Sequence, residues 1–258
     1  MLSRRALGAG ALATLAAPAA AAACRRTVYL TIDTGWMDTA ERIAAVMARH
    51  GVKATLFLAD ERTFRGDTSL SDAWAPFWRA RVAEGHAFGS HTLRHWYFRG
   101  DEGERVRYVP RPSSGGGARE GTMLDRAGLC AELRAPEERL RAMTGRGFDP
   151  IWRAPGGRTT PNALSHAEAC GFRHVGWTAN GFLGDELPSD RYPNDALLRR
   201  ALSTIRDGEV LVMHWGIRSR QQKYAEVFEP LIVGLKERGF CFATLTAPPP
   251  LLLAEARR

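Results

Sequence analysis

Residues able to do acid–base or metal chemistry follow short apolar runs at several points along the chain. Asp33 and Thr34 end "VYLTI", His91 and His95 follow "HAFGS", Arg153 follows "IW", Trp177 follows "HVG" and His214 follows "VLVM". A carboxylate can take a proton from water, and an imidazole can return one to a leaving group. His91 and His95 are spaced i, i+4, so in a helical turn both rings would share one face. That spacing suits two imidazoles on one metal ion. Plainer explanations exist for each residue alone. Asp33 could cap a helix, His214 could be a core histidine, and Arg153 could be a buried partner for a carboxylate. Their recurrence at successive strand ends points to one shared site.

The elements that must position them alternate along the chain. "TVYLTID" reads as a buried strand, followed by a helix over about residues 38–50 that ends at Gly51. "KATLFL" is the next strand, a helix near residues 74–84 follows, and "HAFGSH" is a strand running into the histidines. The stretch "MLDRAGLCAELRAPEERLRAMTG" is helical, with Pro136 expected to kink or interrupt it. Then come "IWRAP", a helix over about 161–170, "RHVGW", a helix over about 195–207, "EVLVMHW", a helix over about 221–238, and "CFATL". Strands separated by helices argue for a parallel sheet with right-handed crossovers, and about seven such units suit a barrel. In such a barrel the working residues lie at the C-terminal strand ends. Residues 99–121 break the rhythm and read as an inserted loop, with Arg105, Arg107 and Arg111 as candidate contacts to acidic sugars.

The chain has 258 residues, 45% hydrophobic and 25% charged, which suits a single globular α/β domain. The net charge is +8, but arginine is scattered and not gathered into a basic run with aromatics, which argues against nucleic-acid binding. "MLSRRALGAGALATLAAPAAAAAC" has paired arginines, an apolar stretch and small residues, the layout of a twin-arginine export signal over residues 1–24. Read as removed, it leaves no mature transmembrane span and an exported protein, periplasmic or secreted. Cys24 after "AAA" is a candidate lipid anchor, which would tether the protein to a membrane. Ala21 stands where lipoprotein signals usually carry leucine. Cys130, Cys170 and Cys241 are widely spaced without any CxxC, so they form no zinc set. Free buried thiols, or one disulfide at most, are expected of them. Nothing in the chain fixes an oligomeric state.

From about Thr27 to Thr246 the chain resembles the polysaccharide deacetylases of the NodB-homology type. "TIDTG" is similar to the family's Thr-Phe-Asp-Asp-Gly, "HTLRH" to its His-Ser/Thr-x-x-His, "RAPGG" to its Arg-x-Pro-x-Gly, and "LVMH" to its late Leu-x-His. The resemblance implies a single distorted (β/α)7-type barrel over residues 27–246, with a tail over 247–258. It also implies metal-dependent removal of acetyl groups from N- or O-acetylated polysaccharide. Asp33 would be the general base, His214 the general acid, and Arg153 the residue that orients Asp33. His91 and His95 would hold a divalent metal, Zn2+ or another ion. Trp177, Leu211, Pro155 and Gly156 would line the substrate pocket, with Trp177 and Leu211 around the acetyl methyl.

The opening motif departs from this pattern. Thr34 stands where the family has its second Asp, a metal ligand, and a neutral hydroxyl is a weak replacement. "GWTANGFLGDE" lacks the family's Asp after the Trp, with Asp185 as a substitute further along for tuning Arg153. Three readings follow: an active deacetylase with an altered metal site, a weak or inactive polysaccharide-binding relative, or a hydrolase of another acyl or amide substrate. Keeping both a base and an acid favours the first, since a pure binder needs neither.

Overall fold

A computed structural model describes residues 24–110 and 121–249. Residues 1–23 of the expected leader, Arg111 of the insert and residues 250–258 of the tail lie outside the described residues.

The parallel sheet is built from β1 (Arg26–Asp33), β2 (Thr55–Leu58), β3 (Ala87–Ser90), β7 (Ile151–Trp152), β8 (Arg173–His174), β9 (Val210–His214) and β10 (Phe240–Phe242). Every ladder between these strands is parallel. Strand β1 pairs with β2, β9 and β10, and the order continues through β3 and β7 to β8. The sheet curls back on itself beyond β8. Phe182 bridges Val212 of β9, and the Thr178 N–H donates to the Val210 carbonyl at 3.3 Å. A distorted parallel barrel results, as the alternation of elements predicts.

Period-2 alternation decides which side chains enter the barrel. Val28, Leu30 and Ile32 of β1, Leu56 and Leu58 of β2, and Leu211 and Met213 of β9 join one large core beneath the helices. Phe57, Ile151, Val175 and Val210 form a separate small cluster inside the barrel. Thr31 and Asp33 share the β1 face opposite Leu30 and Ile32, so the strand delivers them inward.

The outer helices are α1 (Ala40–Arg49), α2 (Ala75–Ala83), α3 (Arg126–Thr144), α4 (Pro161–Ala169), α5 (Asn194–Thr204) and α6 (Ala225–Glu237). Helix α1 buries Ala40, Ile43, Ala44, Val46 and Met47, the spacing of one helical face. Helix α3 starts where the Asp125 side chain accepts the Gly128 N–H and stops at left-handed Gly145. It runs through buried Pro136 without interruption, contrary to expectation. Burial against its neighbours outweighs the lost hydrogen bond, and the carbonyl that Pro136 leaves unbonded is used elsewhere.

Two further expectations are corrected. The insert is not simply a loop: β4 (Tyr97–Glu102), β5 (Arg105–Val109) and β6 (Thr122–Leu124) form an antiparallel sheet. Along β5, Val106 and Tyr108 are buried while Arg105 and Arg107 are exposed. The alternating "RVRYV" carries that signal, which the surrounding Gly, Pro and charge obscure. The cysteines are not free thiols either. Cys24 is bonded to Cys241 and Cys130 to Cys170, with no free cysteine among the described residues. The barrel brings together thiols that are remote in sequence, 217 and 40 residues apart, which spacing alone could not reveal. With its sulfur in a disulfide, Cys24 cannot carry a thioether lipid.

Candidate active site

The strand ends are level with one another, which sets the site. Asp33 and His214 are register partners across β1 and β9. Ser90 pairs with Trp152, so the next residues, His91 and Arg153, leave β3 and β7 side by side. Asp33, His91, His95, Tyr97, Gly156, Trp177, Phe182, Glu186, Val212 and His214 line one open cleft.

Arg153 is fully buried and its donors are well spent. Nη1 donates to Asp33 Oδ1 at 2.8 Å and to Thr31 Oγ1 at 2.7 Å. Nε and Nη2 donate to the carbonyls of Val175 and Gly176 at 3.1 and 2.8 Å. The guanidinium also lies over the Phe57 ring, 4.2 Å from its centroid. Burial pushes the Asp33 carboxyl up. The charges of Arg153, His91 and His214, with the Arg153 hydrogen bond, outweigh it and hold Asp33 below its ordinary value.

Across the cleft, Asp185 does for His214 what Arg153 does for Asp33. Asp185 Oδ2 lies 3.1 Å from His214 Nδ1 and accepts the His214 backbone N–H at 2.7 Å. Burial lowers the His214 pKa, but Asp185, then Asp33 and Glu186, reverse this and raise it to about 9. The imidazole is therefore a cation at neutral pH. The sequence pattern offers Asp185 as the acid that tunes Arg153; the fold sets it on His214 instead.

His91 and His95 converge, though not on a helical turn. The segment after β3 bends sharply, with Thr92 at φ 63° and His95 at φ 53°, and brings the two Nε2 atoms to 3.2 Å. A left-handed threonine costs roughly 1–3 kcal/mol, so its surroundings must impose it. Ser90 Oγ accepts the Thr92 N–H, and the Tyr108 hydroxyl donates to Thr92 Oγ1 at 2.9 Å. The Leu93 N–H donates to the Glu132 carbonyl at 2.9 Å, while the Glu132 carboxylate binds Arg94 Nε at 2.5 Å. The antiparallel sheet and α3 thus clamp the histidine loop.

The donor set can be tested for a divalent cation. Nδ1 of His91 is 2.9 Å from the Arg153 carbonyl, which can only accept, so Nδ1 carries the proton. Burial, against the pull of Asp33, lowers the His91 pKa to about 4, so the ring is neutral and turns a lone pair on Nε2 toward His95. This arrangement fits a cation held by two imidazoles. It lacks a full ligand set: among the described residues no group of three or more His, Cys, Asp or Glu converges on a metal position. Thr34 is fully buried and its Oγ1 accepts the Ala59 N–H at 3.1 Å, so it is bound to the backbone and does not line the cleft.

The pocket residues need one correction. Leu211 faces the core beneath the helices, and Val212, on the opposite face of β9, lines the cleft in its place. The residue two before His214 shares its face, and that residue is Val212. Pro155 is buried, and Gly156 reaches the cleft. Gly156 and Gly157 have φ of 65° and 71°, and a Cβ on Gly157 would sit 2.5 Å from the Trp177 ring. Only glycine lets Trp177 close over this turn. Tyr97, Phe182 and Glu186 join the lining without a sequence signal that marks them.

Residues 20–175, more than half the chain, match the family model for polysaccharide deacetylase. A chitooligosaccharide deacetylase of Azorhizobium caulinodans is 22% identical, covering 85% of this chain and 92% of that protein. Among solved structures, a family 4 acetyl xylan esterase from Clostridium thermocellum, in complex with a cobalt ion, superposes with a TM-score of 0.64. It is 19% identical, covering 90% of this chain and 92% of that one. A family 4 carbohydrate esterase pseudoenzyme from Bacillus anthracis is similar too, with a TM-score of 0.62 and 20% identity, covering 86% of this chain. The chain spans 64% of that pseudoenzyme's length. The chain belongs to the polysaccharide deacetylase family.

Proposed function

We propose that the protein is an exported, metal-dependent hydrolase that removes acetyl groups from an N- or O-acetylated polysaccharide. One observation carries this reading: a charge-paired base, Asp33–Arg153, and a charge-paired acid, His214–Asp185, line the same cleft as two facing imidazoles. His91 and His95 would hold the cation, Zn2+ or another divalent ion. When bound, it supplies a Lewis acid that polarises the acetyl carbonyl and acidifies water.

The side chains supply the proton traffic. Asp33, kept ionised by Arg153, takes a proton from the attacking water as its oxygen bonds to the acetyl carbon. His214, kept protonated by Asp185, gives its proton to the departing nitrogen or oxygen as that bond breaks, leaving acetate and an amine or alcohol. Val212, Trp177 and Phe182 supply apolar surface for the acetyl methyl.

Two disulfides support export, because such bonds persist in oxidising compartments. Among the described residues no helix is long and apolar enough to cross a membrane. The competing reading, a weak or inactive glycan binder, has Thr34 in its favour, while the retained acid and base pairs count against it. Metal analysis of the purified protein combined with acetate release from a panel of acetylated glycans tests the proposal. Acetate released with metal present and abolished by Asp33→Asn supports it. Metal-free, folded protein without acetate release after addition of Zn2+ or Co2+ sinks it.

A further inference from the structure

We propose that Glu61 is a positioning residue for the cation site, its carboxylate held against His95 to replace, one step outward, the negative charge that Thr34 does not supply. The inference rests on His91 and His95 as cation ligands.

The geometry begins with the two rings. His91 gives its Nδ1–H to the Arg153 carbonyl, and His95 Nδ1 lies 3.3 Å from Glu61 Oε1. A carboxylate oxygen can only accept, so Glu61 favours the His95 tautomer with its proton on Nδ1. Both Nε2 atoms then present lone pairs to each other at 3.2 Å. Two acceptors at that distance repel unless a proton or a cation lies between them. Glu61 therefore sets His95 to bind a cation and makes its ring nitrogen a stronger donor.

The segment carrying Glu61 links the missing ligand to the histidine loop. Ala59 donates its N–H to Thr34 Oγ1, and Asp60 donates its N–H to the Leu93 carbonyl at 2.8 Å. Glu61 itself is fixed through its backbone, its N–H donating to Ser69 Oγ at 3.0 Å and its carbonyl accepting the Ser69 N–H at 2.8 Å. Three consecutive residues thus touch Thr34, the loop between the histidines, and His95. Glu61 Oε2 is buried with no hydrogen-bond partner, an unneutralised oxygen whose burial is unfavourable unless positive charge lies nearby.

The test reads metal binding directly, with Co2+ absorption spectra and Zn2+ calorimetry on the wild type, Glu61→Gln, Glu61→Asp, Thr34→Asp and Glu61→Gln/Thr34→Asp. Glu61→Gln should weaken Zn2+ binding roughly 10–100-fold and shift the Co2+ bands, with the thermal midpoint of the metal-free protein not lowered. Glu61→Asp, which keeps the charge, should recover part of the affinity. In the Thr34→Asp background the Glu61→Gln loss should shrink, because the added carboxylate then supplies the negative charge. Unchanged affinity and spectra in Glu61→Gln, with His91→Ala still abolishing binding, would overturn the role of Glu61 and leave the two-histidine site standing. A wild type that binds neither ion while Thr34→Asp binds both would overturn the replacement of charge by Glu61. Binding by none of these variants would overturn the histidine site itself.

Discussion

The carbonyl of Glu132 accepts the N–H of Leu93 at 2.9 Å, across the gap between α3 and the histidine loop. In a helix with its full set of backbone hydrogen bonds that carbonyl would bond the residue four positions on, which here is Pro136 and has no N–H. The proline thus leaves free an acceptor that anchors the loop between His91 and His95.

Pro136→Ala should therefore separate stability from function. A restored N–H competes for the Glu132 carbonyl and removes a helix penalty of roughly 3 kcal/mol, offset in part by lost packing of the ring. Hydrogen exchange at the Leu93 amide should speed up, and kcat should fall several-fold, while the thermal midpoint does not drop. Unaltered Leu93 exchange would show that the proline does not govern the loop.

Much of this site was legible in the sequence, because chemistry at strand ends follows from period and register. Asp33, Arg153 and His214 stand where apolar runs stop, and the β ladders bring them level. What escaped depends on geometry that spacing does not encode. The His91–His95 spacing suggested a helical turn, whereas two left-handed residues make the meeting. Asp185 was visible as an acid, but only the fold shows that it holds His214. Leu211 failed for a simpler reason: alternation gives the cleft to every second residue, and counting back two from His214 reaches Val212. Glu61 had no motif to mark it, since its partner is 34 residues away in the chain.

The pairing of His214 with Asp185 predicts the alkaline limb of the pH–rate profile. An acid with a pKa of about 9 keeps its proton through neutrality and loses it above that value. The rate should be flat from neutral pH and fall as pH rises through about 9. Asp185→Asn removes the charge that opposes burial, so the limb should move toward or below the ordinary histidine value of about 6.5. Activity at pH 8 should then drop by more than tenfold, while activity near pH 6 falls less. A limb unmoved in Asp185→Asn would assign it to another group.

The same shift is a statement about stability. The folded His214 pKa is raised above its unfolded value, so its contribution is complete below about pH 6.5 and is lost as pH rises through about 9. Roughly 1.4 kcal/mol per pH unit limits the loss to about 3 kcal/mol. His174, half-buried against Trp152 with its Nε2 shielded from solvent, runs the other way: loss of solvation lowers its pKa to about 3, with Arg153 and His91 adding to the effect. Its contribution is present above about pH 6.5 and is lost as pH falls. Chelator-treated protein should therefore be most stable between about pH 6 and 7 by chemical denaturation. His214→Gln should flatten the alkaline side and leave the acid side in place; an alkaline decline that persists in this variant would contradict the prediction.

The Cys130–Cys170 disulfide joins α3 to the end of α4, two residues from the Glu132 that clamps the histidine loop. It closes a 40-residue separation, for which the loss of chain entropy in the unfolded state corresponds to roughly 2–4 kcal/mol. Replacing both cysteines with serine should lower denaturant stability by about that amount. Since the bond also fixes α3 where Glu132 meets Leu93 and Arg94, the Leu93 amide should exchange faster than in the intact protein. The Cys24–Cys241 disulfide joins the start of the described residues to β10, far in sequence from that clamp, and its replacement by two serines is the control. That replacement should cost stability without altering Leu93 exchange below the unfolding range. Equal effects on Leu93 from both pairs would mean that global opening, not the local clamp, governs the loop.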